Sequence, residues 1–222
     1  YEGSKQYYND SYVVNALYRP FTKQFLYFQR EWIQRPYQMP RLFPATMTNI
    51  AIGISGIGHQ KPFSTIISGN IADLQVVDKG QYFPLYFYEE RKQVQKTLFD
   101  DASEELFVRR DGITDWILKE VRSRFGNSKS ITKEHIFYYV YGILHYQQYR
   151  DRFASDLKKS LPHIPIVENV EDFMAFYKAG KSLADLHINY ELVPASPDVT
   201  VKIADAIYKN ATEDDAGYTE YE

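Results

Sequence analysis

Residues Ile131 to Pro165, ITKEHIFYYVYGILHYQQYRDRFASDLKKSLPHIP, hold the densest apolar patterning in the chain and its clearest helix punctuation. Any fold must bury them. Thr132 can cap a first helix, because its hydroxyl can accept an orphan backbone N–H, and Glu134 falls in the first turn, where the helix dipole favours negative charge. Ile136, Val140, Ile143 and Leu144 then recur at helical spacing, with Phe137, Tyr138, Tyr139 and Tyr141 filling most of the remaining face. A helix apolar nearly all round is buried on several sides. The next segment is amphipathic: Tyr149, Phe153, Leu157 and Leu161 make one stripe, with charged residues off it, and Pro162 and Pro165 end it. The spacing predicts two consecutive helices here.

Further helices are expected on either side. Ile113, Ile117, Val121 and Phe125 mark one that stops at Gly126. Another runs through Phe173, Phe176, Tyr177, Gly180, Leu183 and Leu186, with Asn169 as its cap. Before residue 89 the texture is strand-like instead, in short runs at 12–14, 25–28, 49–54, 64–68, 71–77 and 82–88. Pro20, Pro36, Pro40, Pro44, Pro62 and Pro84 punctuate these runs, as suits edges and projecting loops. The expected fold class is α+β, a β-rich N-terminal part with projecting loops followed by a helical C-terminal part. The expected segments are a loose leading stretch 1–10, a β-rich part 11–88, a charged connection 89–105 serving as a domain boundary or a surface crossing, a helical part 106–194, and a C-terminal extension 195–222. That extension carries Val199, Val201, Ile203 and Ile207 as a possible last strand or helix, and then an acidic tail.

Several function classes fail on chemistry. The loop GISGIGHQ, Gly53 to Gln60, follows a strand-like run, but a phosphate-binding loop needs Lys and Ser/Thr after its last glycine, where His59 and Gln60 stand. The dinucleotide fingerprint lacks its third glycine, Lys61 taking that place. This loop reads as a tight turn between strands, its three glycines supplying positive backbone angles. An amine methyltransferase would need paired prolines in its catalytic loop, and no two prolines are adjacent. Pro197, Asp198 and Lys202 echo a nuclease core, but Thr200 stands where the second acid belongs. The five histidines lack metal-ligand spacing, and zero cysteines exclude thiolate zinc sites and disulfides, which fits a cytoplasmic protein. No metal site is expected. No stretch approaches the ~20 apolar residues of a membrane span. The chain opens on Tyr1 rather than Met, so we expect a piece of a longer polypeptide.

The positive signal is local and basic. Between Phe21 and Lys61, five cations (Lys23, Arg30, Arg35, Arg41, Lys61) face one anion, Glu31, although the whole chain carries a formal charge of -3. Tyr27, Phe28, Trp32, Tyr37 and Phe43 are interleaved with them. Arginine can fork a guanine edge, lysine can neutralise phosphate, and aromatic faces can support either. Arg41, between Pro40 and Pro44 in what looks like a stiff excursion from the sheet, and His59 with Gln60, on the glycine turn, are the candidate base readers. Lys23, Arg30, Arg35 and Lys61 are the candidate phosphate contacts. A charge-protected strand edge would look the same. A second cluster, Lys119, Arg122, Arg124 and Lys129, is explained almost equally by helix-dipole complementarity.

The order of several motifs adds a resemblance. YRPF at Tyr18, FPLYFY at Phe83, RRDGITDWIL at Arg109, YVYGILHYQQYRDRF with LPHIP, and GKSLADLHINYE at Gly180 together resemble the C-terminal region of Type ISP restriction-modification enzymes, across roughly Tyr18 to Val193. The resemblance implies target recognition on double-stranded DNA, with no catalysis in this chain. Upstream methyltransferase, helicase and nuclease domains of the same polypeptide would be its partners, and S-adenosylmethionine, ATP and magnesium would be cofactors of that parent enzyme. Twenty tyrosines also suit a second class, a non-catalytic carbohydrate- or peptide-binding module with aromatic platforms.

Overall fold

The structure, a computed structural model, describes residues 7–90, 107–194 and 196. Eight strands are described: β1 (Val13–Arg19), β2 (Thr22–Tyr27), β3 (Ala51–Ile54), β4 (Thr65–Ser68), β5 (Ile71–Ala72), β6 (Gln81–Pro84), β7 (Tyr86–Glu90) and β8 (Phe107–Asp111). The helices are α1 (Met39–Leu42), α2 (Asp115–Arg124), α3 (Lys133–His145), α4 (Gln147–Arg152), α5 (Ala154–Leu157) and α6 (Val170–Ile188). Strands dominate the first half and helices the second, as an α+β reading requires.

The strands form a sheet β2-β1-β5, a sheet β4-β3-β6 and the hairpin pair β7-β8. Every residue of β3 is buried, because the central sheet is covered on both faces. Ile52, Ile54 and Ile67 enter the large core with α3 and α6. Their alternate neighbours Ala51 and Ile66 face the smaller cores built with Ala16, Leu17, Ile71 and Ala72. A strand buried on both faces reads as a continuous apolar run, which is what AIGI shows. The layers are therefore helices, central sheet, outer sheet.

The helical layer is organised by α3 against α6, the most extensive packing between any two described elements. Both helices start where their caps were expected. Thr132 accepts His135 N–H at 3.3 Å while His135 Nδ1 accepts Thr132 N–H at 3.0 Å, a reciprocal box with histidine in the usual glutamate place. Asn169 accepts Asp172 N–H at 2.8 Å. Tyr139 and Phe173, both fully buried, stack at 4.5 Å between ring centroids. Each such ring contributes roughly 2–3 kcal/mol by leaving water. The close approach is possible because Gly142 and Gly180 face each other: a Cβ on Gly180 would lie 2.0 Å from the Tyr138 carbonyl oxygen. A side chain on Tyr141 ties this layer to the sheet. Its hydroxyl accepts Ile67 N–H of β4 at 3.1 Å and shares a hydrogen bond with His187 Nδ1 of α6 at 2.6 Å.

Several sequence expectations are corrected. The segment after α3 is not one helix: α4 and α5 are separated at Phe153, and Leu161 leaves the stripe to lie partly exposed. The break lets the chain double back, so that Tyr149 hydroxyl donates to the His163 carbonyl at 3.0 Å. The run 71–77 is a strand only at Ile71–Ala72, since Asp73 Oδ1 accepts Gln75 N–H at 2.7 Å and turns the chain. Residues 82–88 divide at Leu85, where Leu85 N–H leaves for the Ile50 carbonyl and the chain passes from the central sheet to the β7-β8 pair. The expected helical part 106–194 begins with a strand, β8, because β7 offers it a free edge across the charged connection. The described residues as far as Tyr190 form one compact unit, and those from Glu191 on belong to another. Of the expected connection 89–105, Glu89 and Glu90 close β7; residues 1–6, residues 91–106, and the extension 195–222 with its acidic tail, except Ser196, lie outside the described residues.

Candidate nucleic-acid interface

The loop between β3 and β4 is the glycine turn GISGIGHQ, and the structure pins it from three sides. Asp78 Oδ2 accepts Gln60 N–H at 2.5 Å and Lys61 N–H at 3.1 Å. Those two amides, Lys61 first, hold the Asp78 carboxyl below its ordinary range and keep it ionised. Lys79 Nζ donates to the Gly58 carbonyl at 2.7 Å, and Gly58 N–H donates to the Lys158 carbonyl of the helical layer at 2.9 Å. Of the three glycines only Gly58 takes a positive φ, 72°. Gly53 is glycine for another reason: the Tyr82 ring lies over it, 2.5 Å from where a Cβ would sit. The loop therefore presents Gln60 and Lys61 to solvent on a fixed backbone.

His59 is turned the other way. It is 4 % exposed, its Nδ1 lies 2.5 Å from the Lys61 carbonyl, and its Nε2 is buried with no partner among the described residues. The sequence expectation of a base-reading His59 meets a ring used to close its own turn. Arg41 is likewise engaged. It lies in the last turn of the short helix α1, donates to Gln38 Oε1 at 3.1 Å, pairs with Glu89 at 3.5 Å, and its guanidinium lies 5.3 Å from the Phe87 ring centroid. The segment Pro40 to Pro44 is a helical turn docked on β7 rather than a free excursion.

The cations differ in what already holds them. Lys23 Nζ lies 5.1 Å from the Tyr190 ring centroid. Arg30 and Arg35 are exposed, and among the described residues neither guanidinium has a hydrogen-bond or ion-pair partner. Trp32 lies between them and Tyr37 two residues after Arg35, 66 % and 68 % exposed, on the excursion between β2 and α1. Arg35, Tyr37 and Gln38 line one bank of a cleft of about 660 Å³, whose other side includes Asp73, Lys79 and Tyr82. Lys79 is the residue that grips Gly58, so the cleft lies between this excursion and the support of the glycine turn.

In the second cluster the arginines are structural. Arg122 Nε donates to the Ile131 carbonyl at 2.8 Å and Nη2 to Lys129 at 3.3 Å, fixing the connection from α2 to α3. Arg124 Nε donates to the Val167 carbonyl at 3.1 Å. Lys119 and Lys129 remain exposed. The structure thus places Arg35 on the cleft wall, sets the Gln60-Lys61 turn outside the cleft lining and joined to it only through Lys79, and leaves Lys119 to Lys129 on the α2 end. Sequence reasoning missed Asp78, the anchor of the turn. The triplet Asp78-Lys79-Gly80 is a turn signal that marks the place but not the partner. No group of three or more potential metal ligands occurs among the described residues, and no described helix is long and apolar enough to cross a membrane.

A family model for the Type ISP C-terminal specificity domain matches residues 2–220. The chain belongs to that family. Among solved structures, a DrdV-DNA complex is similar at a TM-score of 0.75 and 28% identity, covering 91% of this chain and 19% of that one. The Type ISP restriction-modification enzyme LlaBIII, bound to DNA, is similar at 0.71 and 32% identity, covering 88% and 12%. A nuclease-deletion mutant of LlaGI, in complex with a DNA substrate mimic, is similar at 0.67 and 31% identity, covering 88% and 15%. This chain spans about a fifth or less of the length of each. A search of curated proteins gives no match.

Proposed function

We propose that this chain is the sequence-specific double-stranded DNA recognition part of a Type ISP restriction-modification enzyme. The observation that carries the reading is the set Arg30, Arg35 and Lys61, exposed cations in a segment of positive excess within an acidic chain, of which the two arginines have no carboxylate partner among the described residues and Lys61 stands beside the Asp78 carboxylate that holds its backbone N–H. These arginines beside exposed aromatics have no ion pair among the described residues to break before they meet a polyanion whose groove offers hydrogen-bonding base edges and thymine methyls. Membership of a specificity-domain family and likeness to enzymes solved with DNA support the same reading. In such an enzyme the domain would hold its site against an adenine methyltransferase, while ATP-driven translocation and cleavage act elsewhere on the polypeptide. S-adenosylmethionine, ATP and magnesium would serve those neighbouring domains, in the bacterial cytoplasm.

The test is binding of the 222-residue chain to duplex DNA across a salt series. The logarithm of affinity should fall linearly with the logarithm of salt, by about 0.9 per neutralised phosphate. Lys61→Ala should weaken cognate and scrambled duplexes alike and reduce that slope by about one. A chain that ignores DNA at low salt but binds an oligosaccharide or peptide without salt dependence refutes the proposal.

A further inference from the structure

Resting on the DNA-binding reading above, we infer that the excursion Gln29–Gln38 is the base-reading element, with Arg30 and Arg35 as guanine forks and Trp32 as their apolar companion in the major groove. The assignment departs from one in which Arg41 and His59 read bases and these two arginines only grip phosphate.

Four observations carry it. The two residues placed best for base reading by sequence are occupied, His59 in its own turn and Arg41 with Glu89 and Phe87. Arg30 and Arg35 have no partner of this kind, so their forks are free to meet one. Next, the excursion exposes Trp32 and Tyr37 together, two large rings within six residues. Phosphate itself offers no apolar surface for these rings to meet, whereas a groove floor offers thymine methyls that apolar contact can read beside base edges that hydrogen bonds can read. Third, the excursion is held at its base. Gln29 is 6 % exposed and its Oε1 accepts the Tyr27 hydroxyl at 2.9 Å, while turns are closed by Trp32 N–H to Gln29 O and Ile33 N–H to Arg30 O. At the far end Tyr37 takes a left-handed backbone, φ 48°, directly before the α1 turn. A residue other than glycine holds that conformation only where its surroundings demand it, and it re-aims the chain there. A reading loop needs this rigidity, because base discrimination depends on fork geometry.

The fourth observation is a difference in chemistry between the two exposed segments. The glycine turn, joined to the cleft through Lys79, is pinned by Asp78, Lys79 and the Lys158 carbonyl, and shows a lysine and a glutamine rather than arginine forks. Lysine is a point charge suited to phosphate, arginine a planar fork suited to guanine O6 and N7. The structure therefore divides positioning (Lys61) from reading (Arg30, Arg35), and the sequence read must contain guanine at the positions they meet.

The experiment selects binding sites from a duplex library with a randomised core using the 222-residue chain, then repeats the selection with Arg30→Ala, Arg35→Ala, Arg35→Lys, Trp32→Ala and Arg41→Ala. Each arginine variant should lose preference at a discrete guanine position, with cognate affinity falling roughly 5- to 150-fold against a much smaller change on scrambled duplex. Arg35→Lys should keep scrambled-duplex affinity without restoring the lost preference, a split that a phosphate contact or a folding defect would not produce. Arg41→Ala should leave the selected sequence unchanged. If wild-type chain selects a sequence and the Arg30 and Arg35 variants select the same one, or Arg35→Lys restores it fully, the inference fails while DNA recognition stands. If wild-type chain selects nothing and binds without salt dependence, the functional proposal fails and this inference with it.

Discussion

Replacing Gly180 by alanine tests the geometry on which the helical layer is built. The added methyl would stand 2.0 Å from the Tyr138 carbonyl oxygen and 2.8 Å from Gly142 N, both backbone atoms with no rotamer to escape into. A carbon and a carbonyl oxygen rest no closer than about 3.3 Å, so α3 and α6 must part by more than ~1 Å. A gap of that size forfeits a quarter to a half of each dispersion contact across the interface, including the Tyr139-Phe173 stack. Overpacking of this kind costs about 3 kcal/mol, against which alanine returns up to ~1 kcal/mol of helix propensity. The net expectation is a loss of ~2–3 kcal/mol, or a midpoint lower by roughly 5–10 °C for a chain of this size. Thermal and urea unfolding followed by circular dichroism measure it. Gly126→Ala is the control, since Gly126 has φ 65° and nothing within 4 Å, so only the backbone penalty of about 1 kcal/mol applies. A Gly180→Ala chain as stable as wild type, or more so, would refute the close crossing.

Other expected outcomes follow from the same contacts. Burial, with lesser contributions from His187 and Arg150, pushes His145 down to about 4, and burial lowers His187 too. Below the ordinary histidine value of about 6.5 the unfolded chain binds a proton that the folded chain refuses, so stability is full above that pH and falls as pH drops toward 4, by roughly 2 kcal/mol after allowance for partial exposure. The urea midpoint of wild type, relative to His145→Phe, should decline over that window; a flat difference counts against it. Tyr141→Phe strands the buried Ile67 N–H and His187 Nδ1, and should cost about 2 kcal/mol in urea unfolding. Asp78→Ala should speed amide hydrogen exchange at Gln60 and Lys61 while leaving the α3 amides as protected as before, because it unpins only the turn. Equal exchange at Gln60 and Lys61 in both chains would show that Asp78 does not hold them.

The reach of the sequence differed between fold and interface. Helix starts were legible at Thr132 and Asn169 because a cap is a local hydrogen bond, made three residues from the cap itself. The stop at Gly126 was legible because left-handed backbone favours glycine. The β-rich texture before residue 89 was legible from run length and proline punctuation, although Asp73 and Leu85 cut two runs short through bonds no period reveals. For the interface, the excess of positive charge between Phe21 and Lys61 was legible as composition. Which of those cations face solvent unclaimed was not. Arg41 and Arg35 have the same side chain, yet Glu89, far along the chain, claims only the first.

Sequence by itself thus determined the β-then-α order, the caps at Thr132 and Asn169 and the family resemblance, because these rest on local propensity, on period and on the order of motifs along the chain, while the breaks at Phe153, Asp73 and Leu85 and the strand β8 did not show in it. Tertiary structure alone decided the rest. It brought Gly142 to Gly180, set Tyr82 over Gly53, and placed Asp78 under the glycine turn. It also turned His59 inward while leaving Arg30 and Arg35 facing out. The physical reason is that a side chain's availability depends on which distant carboxylate, carbonyl or ring reaches it first, and that is settled only when the layers pack.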